Sequence, residues 1–403
     1  MSGHIQQCRV CASRALESAL DLGEQPWGNH FLQRDEIGHE PHYPLHVLWC
    51  SHCKTAQLSF TVPKEVMFSD HTYLSGTTAS LSAHFKRIAA MANERYALDQ
   101  SSKSILDIGS NDGTLLKHFK ALGWDVLGVE SSKTTAEIAN QQGIETVHAF
   151  YNQKTQATIG RTFDVINASG VFFHLEELHS VTEAIKSALK PKGVFIVQFL
   201  YMKRIMENTA FDQIYHEHLL YYTLHSLQGL LKGYQLEIFD AAIDSIHGGS
   251  MIAHVGHQGA YEKTGTLDAL LDAELQTGCN EMPAYRQLAS STQRFKATEL
   301  ENLASWKRQG KRVFGMGAPV KGNTLLNFLK VDAQSIEVLV ERNTLRRGLY
   351  APGSHIPVVI EDEFFDVPDV YYVLAWNFKD EILKRYESLL SQGTVFHFPV
   401  NPK

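Results

Sequence analysis

The run Leu106-Asp107-Ile108-Gly109-Ser110-Asn111-Asp112-Gly113, with Gly128-Val129-Glu130 downstream, constrains this chain more than any other segment. Ile105-Leu106 leads into a glycine turn, and Thr114-Leu115-Leu116-Lys117-His118-Phe119 opens a helix behind it. A second strand then ends on an acid. Strand, glycine turn, helix and acid-tipped strand, in that order, open a doubly wound α/β sheet. Gly109 and Gly113 are expected to let the backbone approach a ligand, because glycine lacks the Cβ that would block it. A carboxylate at the second strand end accepts hydrogen bonds from two ribose hydroxyls. Asp107, Gly109, Ser110, Asn111, Asp112, Gly113 and Glu130 therefore form a candidate adenosine site. The spacing is not the three-glycine dinucleotide pattern, whose third glycine packs helix on strand.

Further strands are predicted at Asp125–Glu130, near Glu145–Ala149, at Phe163–Ala168, and at Gly193–Phe199 after a turn at Lys190–Gly193. A helix over Leu224–Leu231 precedes a closing antiparallel pair, Gln235–Ala242 and Ser250–His257. Residues 71–103 read as helical, with apolar Leu81, Phe85, Ile88, Ala89 and Met91. This gives a domain over residues 71–258. Residues 264–309 are helical in pattern. Arg312–Thr324 then repeats the strand, glycine turn and helix, and Ile336–Glu341 and Val370–Ala375 read as strands. Residues 259–403 are a second α/β unit whose glycine turn would cradle a diphosphate on backbone N–H groups, with Lys321 adding charge.

Four of the five cysteines form two knuckles, Cys8-Arg9-Val10-Cys11 and Cys50-Ser51-His52-Cys53. Four thiolates in this spacing close the tetrahedral shell of a structural Zn2+ site. Residues 12–49 between them are long enough for small strands, so residues 1–70 form a zinc domain stapled by metal. Such a site leaves no open position for catalysis. Cys279 stands alone and reads as a small buried residue.

With a formal net charge of −7, the chain has no general attraction to nucleic acid or to an anionic membrane. No apolar run approaches the roughly 20 residues that span a bilayer, and Met1–Gln7 lacks the features of a signal peptide. A cytoplasmic protein, monomer or homodimer, with reduced thiols is expected.

Four clusters carry potential chemistry. They are His71–Thr78; Phe172-Phe173-His174 after strand four; Tyr215-His216-Glu217-His218-Leu219-Leu220-Tyr221-Tyr222 after strand five; and His247-Gly248-Gly249-Ser250. His174 falls where open α/β sheets bind ligands, outside a strand's carboxyl end. Adjacent His216, Glu217 and His218 do not converge on one metal ion, and the HExxH spacing is absent.

The glycine loop and Glu130 resemble motif I of class I S-adenosylmethionine-dependent methyltransferases. The two cysteine knuckles, Tyr-Leu-Ser-Gly-Thr at 73–77, Asp-Ile-Gly-Ser-Asn-Asp-Gly at 107–113, Tyr-His-Glu-His at 215–218, His-Gly-Gly-Ser at 247–250 and Gly-Ala-Pro-Val-Lys-Gly-Asn-Thr at 317–324 together resemble the sugar C-methyltransferases of deoxysugar pathways. The resemblance implies a class I methyltransferase sheet, Rossmann-like and doubly wound, flanked by a small N-terminal zinc domain and a C-terminal α/β domain. It implies S-adenosylmethionine as cofactor and carbon 3 of a nucleotide-linked 4-keto-6-deoxysugar as acceptor. By position it makes His218 the base and Tyr73, His174, Tyr215 and Glu217 its active-site companions. Tyr222, Lys321 and Asn323 are expected to bind substrate, the last two near its diphosphate. Met251-Ile252 stand where the family has Leu-Arg, Gln198 where it has an acid, and Ser131 where proline is frequent. These departures bear on the sugar. The rival readings are an O- or N-methyltransferase, a non-catalytic zinc-dependent binding protein and a dehydrogenase using the 312–324 turn.

Overall fold

The computed structural model describes residues 3–68, 75–77, 79–97 and 102–401. Tyr73, with His71, Thr72, Leu74 and Thr78, lies outside the described residues. The central sheet has seven strands: β1 (Ser104–Ile108), β2 (Asp125–Glu130), β3 (Thr146–His148), β4 (Phe163–Ser169), β5 (Leu189–Leu200), β6 (Leu236–Asp244) and β7 (Ser250–His257). Their order is β6-β7-β5-β4-β1-β2-β3. β1 to β5 are parallel, and β7 lies antiparallel between β5 and β6. This is the class I methyltransferase sheet expected from sequence. All five residues of β1 are buried, as a strand covered on both faces requires.

One local expectation is corrected. Lys190–Gly193 is not a turn before β5 but part of it, with a register shift between Leu189 and Val194. Pro191 lacks a donor N–H and is tolerated at such a bulge. A Cβ on Gly193 would lie 2.9 Å from both Lys190 N and Phe163 O, so only glycine closes it.

Helix α1 (Ala79–Tyr96) lays Leu81, Phe85, Ile88, Ala89 and Ala92 against Leu115, Leu116, Phe119 and Val194. A 3-10 turn, Ser75–Thr77, precedes it. The N-terminal sheet comprises Leu16–Pro26, His42–Cys50 and Ala56–Leu58, and its fourth strand is Leu220–Tyr221 of the central segment. The zinc sheet thus grips the chain two residues after His218. In the C-terminal unit, β8 (Val313–Met316), β9 (Leu339–Glu341), β10 (Val358–Ile360), β11 (Val370–Val373) and β12 (Val395–His397) form a parallel sheet ordered β10-β9-β8-β11-β12. The expected strand from Ile336 starts at Leu339. The long helical stretch divides into Gly265–Thr277 and Met282–Arg308 at Gly278, which is left-handed. One buried apolar cluster runs from Trp49 through Phe199 to Tyr372, joining all three units.

Candidate active site

The loop after β1 is held by its own backbone. Gly109 N donates to Val129 O at 2.8 Å. Asn111 N and Ser132 N donate to opposite oxygens of Glu130 at 2.9 and 2.7 Å. Each oxygen keeps further acceptor capacity for ribose hydroxyls. Ser110 Oγ is buried with no partner among the described residues. These groups fit an adenosine ligand. Asp107 is buried and accepts from Asn167 Nδ2 at 2.7 Å. Burial, reinforced by the charge on Glu130, pushes its carboxyl up to about 7 despite that bond.

The fold gives the two loop glycines a reason of its own. Gly109 (φ 69°) and Gly113 (φ 76°) are left-handed, and a Cβ on them would meet Val171 Cγ2 at 2.5 Å and Ile144 at 3.1 Å. They serve turn geometry and packing. Gly109→Ala is therefore expected to cost about 1–3 kcal/mol, read as a lower Tm. An unchanged Tm would contradict this placement. Asn111 and Asp112 reach forward to the turn before α1: Ser75 N donates to Asn111 Oδ1 and Gly76 N to Asp112 Oδ2, both at 2.9 Å.

Beyond β4, four aromatic rings meet. The His218 ring centroid lies 3.7 Å from Tyr215, 4.6 Å from Phe173 and 5.0 Å from His174. His218 Nδ1 is 2.8 Å from Gln213 O. A carbonyl only accepts, so Nδ1 carries the proton of the neutral imidazole and Nε2 keeps its lone pair. Nε2 has no hydrogen bond among the described residues. Burial, with His174 and His247 nearby, holds the His218 pKa well below the ordinary histidine value. His174 Nδ1 pairs with the Glu217 carbonyl. His216 turns the other way, 3.2 Å from Tyr43 O, so it binds the zinc sheet.

Glu217 is fully buried and its Oε1 accepts from Trp27 Nε1 at 2.8 Å. Burial pushes its carboxyl up to about 7, against the Trp27 bond and the nearby Arg346 guanidinium. A carboxyl raised from 4.5 to about 7 holds its proton more tightly when folded. Its stabilisation is complete below pH 4.5 and is lost as pH rises through 7. Glu217→Gln is thus expected to remove a fall in Tm between pH 4.5 and 7. Parallel Tm profiles for the two proteins would refute the placement.

The expected substrate residues have partners within the protein. Tyr222 is 0 % exposed, packed between Phe172 and Phe199, because the strand Leu220–Tyr221 carries it into the core beneath the zinc knuckles. Asn323 Nδ2 donates to Gly28 O at 2.6 Å, locking the zinc domain onto the C-terminal unit. Lys321 Nζ donates to Asn377 Oδ1 at 2.6 Å and sits 3.4 Å from the centroid of the Trp376 ring. Burial lowers Lys321 to about 7, with Asp212 opposing. Trp376 Nε1 in turn donates to Asp212 Oδ2 at 2.6 Å. Gln213 Nε2 donates to His247 O at 2.6 Å, and Gly248 makes room for Trp376, which a Cβ there would meet at 2.5 Å. Trp27, Gln213, Arg346 and Trp376 were not singled out from sequence. Only Gln213 carried a signal, its closeness to Tyr215.

The four knuckle sulfurs lie within 4.8 Å of one another, with Cys8–Cys53 and Cys11–Cys50 at 3.5 and 3.6 Å. A tetrahedron with Zn–S of about 2.3 Å has S–S edges of roughly 3.8 Å, so the donor set fits zinc.

Three family models match the chain: a zinc binding domain over residues 8–68, a methyltransferase domain over 81–241 and a C-methyltransferase C-terminal domain over 245–401. C-methyltransferase NovU of Streptomyces niveus is 29% identical over 402 residues, covering 98% of this chain and 96% of NovU. A ubiquinone biosynthesis O-methyltransferase of Haemophilus ducreyi is 31% identical over 106 residues, 24% of this chain and 44% of its own length. Magnesium protoporphyrin IX methyltransferase from Synechocystis PCC 6803 with bound SAH aligns over 43% of this chain and 82% of its own, at 14% identity and a TM-score of 0.35. No helix among the described residues is long and apolar enough to cross a membrane. The chain is a methyltransferase that uses S-adenosylmethionine and carries a four-cysteine zinc site, and the matches support a C-methyltransferase family.

Proposed function

We propose that this S-adenosylmethionine-dependent methyltransferase methylates carbon 3 of a nucleotide-linked 4-keto-6-deoxysugar through an enolate, with His218 as the base. The observation that carries the reading is the neutral, buried His218 imidazole, held through Nδ1 by Gln213 O, with Nε2 making no hydrogen bond among the described residues. Methylating oxygen or nitrogen starts from a ready lone pair. Methylating carbon needs a C–H proton removed, and a ketone beside that carbon makes the removal feasible.

When bound, S-adenosylmethionine supplies an electrophilic sulfonium methyl. Asp107, Ser110 and Glu130 would hold it. His218 Nε2 takes the carbon 3 proton, and the C–H electron pair moves into the new double bond as the carbonyl pair moves onto oxygen. The Tyr215 hydroxyl is the donor proposed for that oxygen; His174, whose Nδ1 proton goes to the Glu217 carbonyl, donates to it only as the imidazolium. With the cofactor bound, carbon 3 would bond to the methyl as the oxygen pair re-forms the carbonyl and the S–CH3 bond breaks, its electron pair leaving on sulfur as S-adenosylhomocysteine. Glu217, bonded to Trp27, fixes the Tyr215–His218 segment against the zinc domain. Tyr73, outside the described residues, is an active-site companion on the resemblance alone. The acceptor is a small molecule. Four cysteine ligands close the zinc shell, so the metal's part is structural.

Two measurements test this. Glu130→Ala and Asp107→Ala are each expected to weaken S-adenosylhomocysteine binding more than tenfold by calorimetry, since each loses hydrogen bonds to a charged or buried carboxyl worth about 1.5–3 kcal/mol. Unchanged affinity would displace the cofactor from this loop. A thymidine-diphosphate-linked 4-keto-6-deoxyhexose in D2O, without S-adenosylmethionine, is expected to take up deuterium at carbon 3. Transfer to oxygen with no carbon exchange would favour the O-methyltransferase reading.

A further inference from the structure

The carboxyl end of β5 carries a buried amide that, among the described residues, uses only its oxygen in a side-chain hydrogen bond. Gln198 is 2 % exposed. Its Oε1 lies 2.7 Å from His84 Nε2. An amide oxygen only accepts, so His84 Nε2 carries a proton and donates. On the far side of the ring, Nδ1 faces Asp244 Oδ2 at 3.4 Å and Arg87 NH2 at 3.3 Å. His84 is itself 1 % exposed on α1. This pairing takes up the amide oxygen and fixes the amide's orientation. The Nε2 of Gln198 is then the end left over: it makes no hydrogen bond among the described residues and is not among the sealed, partnerless polar atoms.

Position tells which ligand that nitrogen meets. β5 is separated from β1 by β4, so at about 4.8 Å per strand its end lies roughly 10 Å from the cofactor loop. Gln198 pairs in register with Ser169 at the end of β4, and Gly170 N donates to Gln198 O at 3.0 Å, four residues before His174; in the reading above this is the acceptor's side. His84 contributes to lowering the pKa of His247, and His247 to lowering that of His218.

We infer that Gln198 is a further catalytic residue, whose Nε2–H donates to the substrate carbonyl oxygen as negative charge builds on it, and that His84, backed by Asp244, is a positioning residue that keeps the amide nitrogen turned inward. This rests on the enolate reading above. A donor fixed before the reaction is worth more than a mobile one, because no reorganisation accompanies charge development.

The test uses the full-length zinc-loaded enzyme and the same keto-sugar probe. Two rates are read: carbon 3 exchange without S-adenosylmethionine, and kcat for transfer. Gln198→Glu replaces a donor by an acceptor and is expected to lower both about 100-fold. Gln198→Met, of similar volume and apolar, is expected to lower both at least tenfold. Affinity for S-adenosylhomocysteine should be retained and reports the fold. If the glutamate variant does not bind S-adenosylhomocysteine, the methionine variant decides. His84→Ala should lower kcat about tenfold in the wild-type background and add nothing in the Gln198→Met background, whereas a merely structural role would add in both. Wild-type exchange rates in both Gln198 variants, or additivity of His84→Ala, would overturn the assignment while leaving the enolate reading standing. Absence of exchange in the wild-type enzyme would overturn both.

Discussion

Replacing His218 by Asn is expected to reduce methyl transfer about 10²–10⁴-fold, the range a positioned general base supplies, with S-adenosylhomocysteine binding and Tm little changed. Asparagine retains a donor for Gln213 O, so the 211–218 segment keeps its anchor. What is lost is the Nε2 lone pair, oriented as an acceptor by the observed bond at Nδ1. The depressed pKa of His218 adds a second readout. Burial and the neighbouring histidines keep the ring neutral below the ordinary value of 6.5, so the acidic limb of the kcat/KM profile belonging to this base should lie below that pH. The profile should be flat above it until another group titrates. A variant that still transfers at the wild-type rate would remove His218 from the chemistry. A limb well above 6.5 would assign it to a different residue.

Zinc removal is expected to produce the second large effect. Sulfur ligands at 3.5–3.6 Å pair the two knuckles across the strands Leu16–Pro26 and His42–Cys50, and structural zinc sites contribute on the order of 10–16 kcal/mol of apparent folding energy in small peptides. Cys50→Ser, or chelation under mild denaturant, should therefore unfold the N-terminal sheet. That sheet includes Leu220–Tyr221 and supports Trp27, so methyl transfer should be lost although zinc touches no reacting atom. The cofactor loop lies in a separate sheet, and S-adenosylhomocysteine binding should survive within tenfold. Metal analysis, calorimetry and turnover on one preparation give the outcome. A metal-free protein with full activity would contradict the structural coupling. Loss of cofactor binding alongside activity would mean the zinc domain supports the whole chain and not just the 215–218 segment.

The parts legible in the sequence are those in which cause is local. Ile105 to Phe119 specifies a strand, a left-handed turn and a helix within sixteen positions or so, and Glu130 follows at the next strand end. The cysteine knuckles likewise state their chemistry in their spacing. What was not legible depends on partners far away in the chain. Trp27 reaches Glu217 across 190 residues, and Trp376 reaches Asp212 across 164; neither tryptophan differs locally from a core aromatic. Lys321 and Asn323 show what the spacing leaves open. A lysine at the start of a helix behind a glycine turn reads as an anion site, yet in three dimensions Gly28 is packed so closely on the Val320 carbonyl that a Cβ there would lie 3.1 Å from it. The helix end is covered by the zinc domain. Tyr222 misled because density of titratable residues is a sequence property, whereas its strand pairing places it in the core.

Three units of one chain thus converge on a short segment, 211–218. The zinc sheet continues it through Leu220–Tyr221, Trp27 bonds to Glu217, and Trp376 with Lys321 holds Asp212. The position of a neutral imidazole is over-determined by contacts from every side, which is how a site keeps a base within reach of one carbon.

The measurement that reaches the central claim most directly is carbon NMR of the product formed from S-adenosylmethionine labelled with 13C in its methyl group, with the keto-sugar nucleotide as acceptor and the zinc-loaded enzyme as catalyst. The account predicts a labelled methyl coupled to a ring carbon at position 3, formed by wild type and not by His218→Asn. A labelled methyl on oxygen or nitrogen would contradict it.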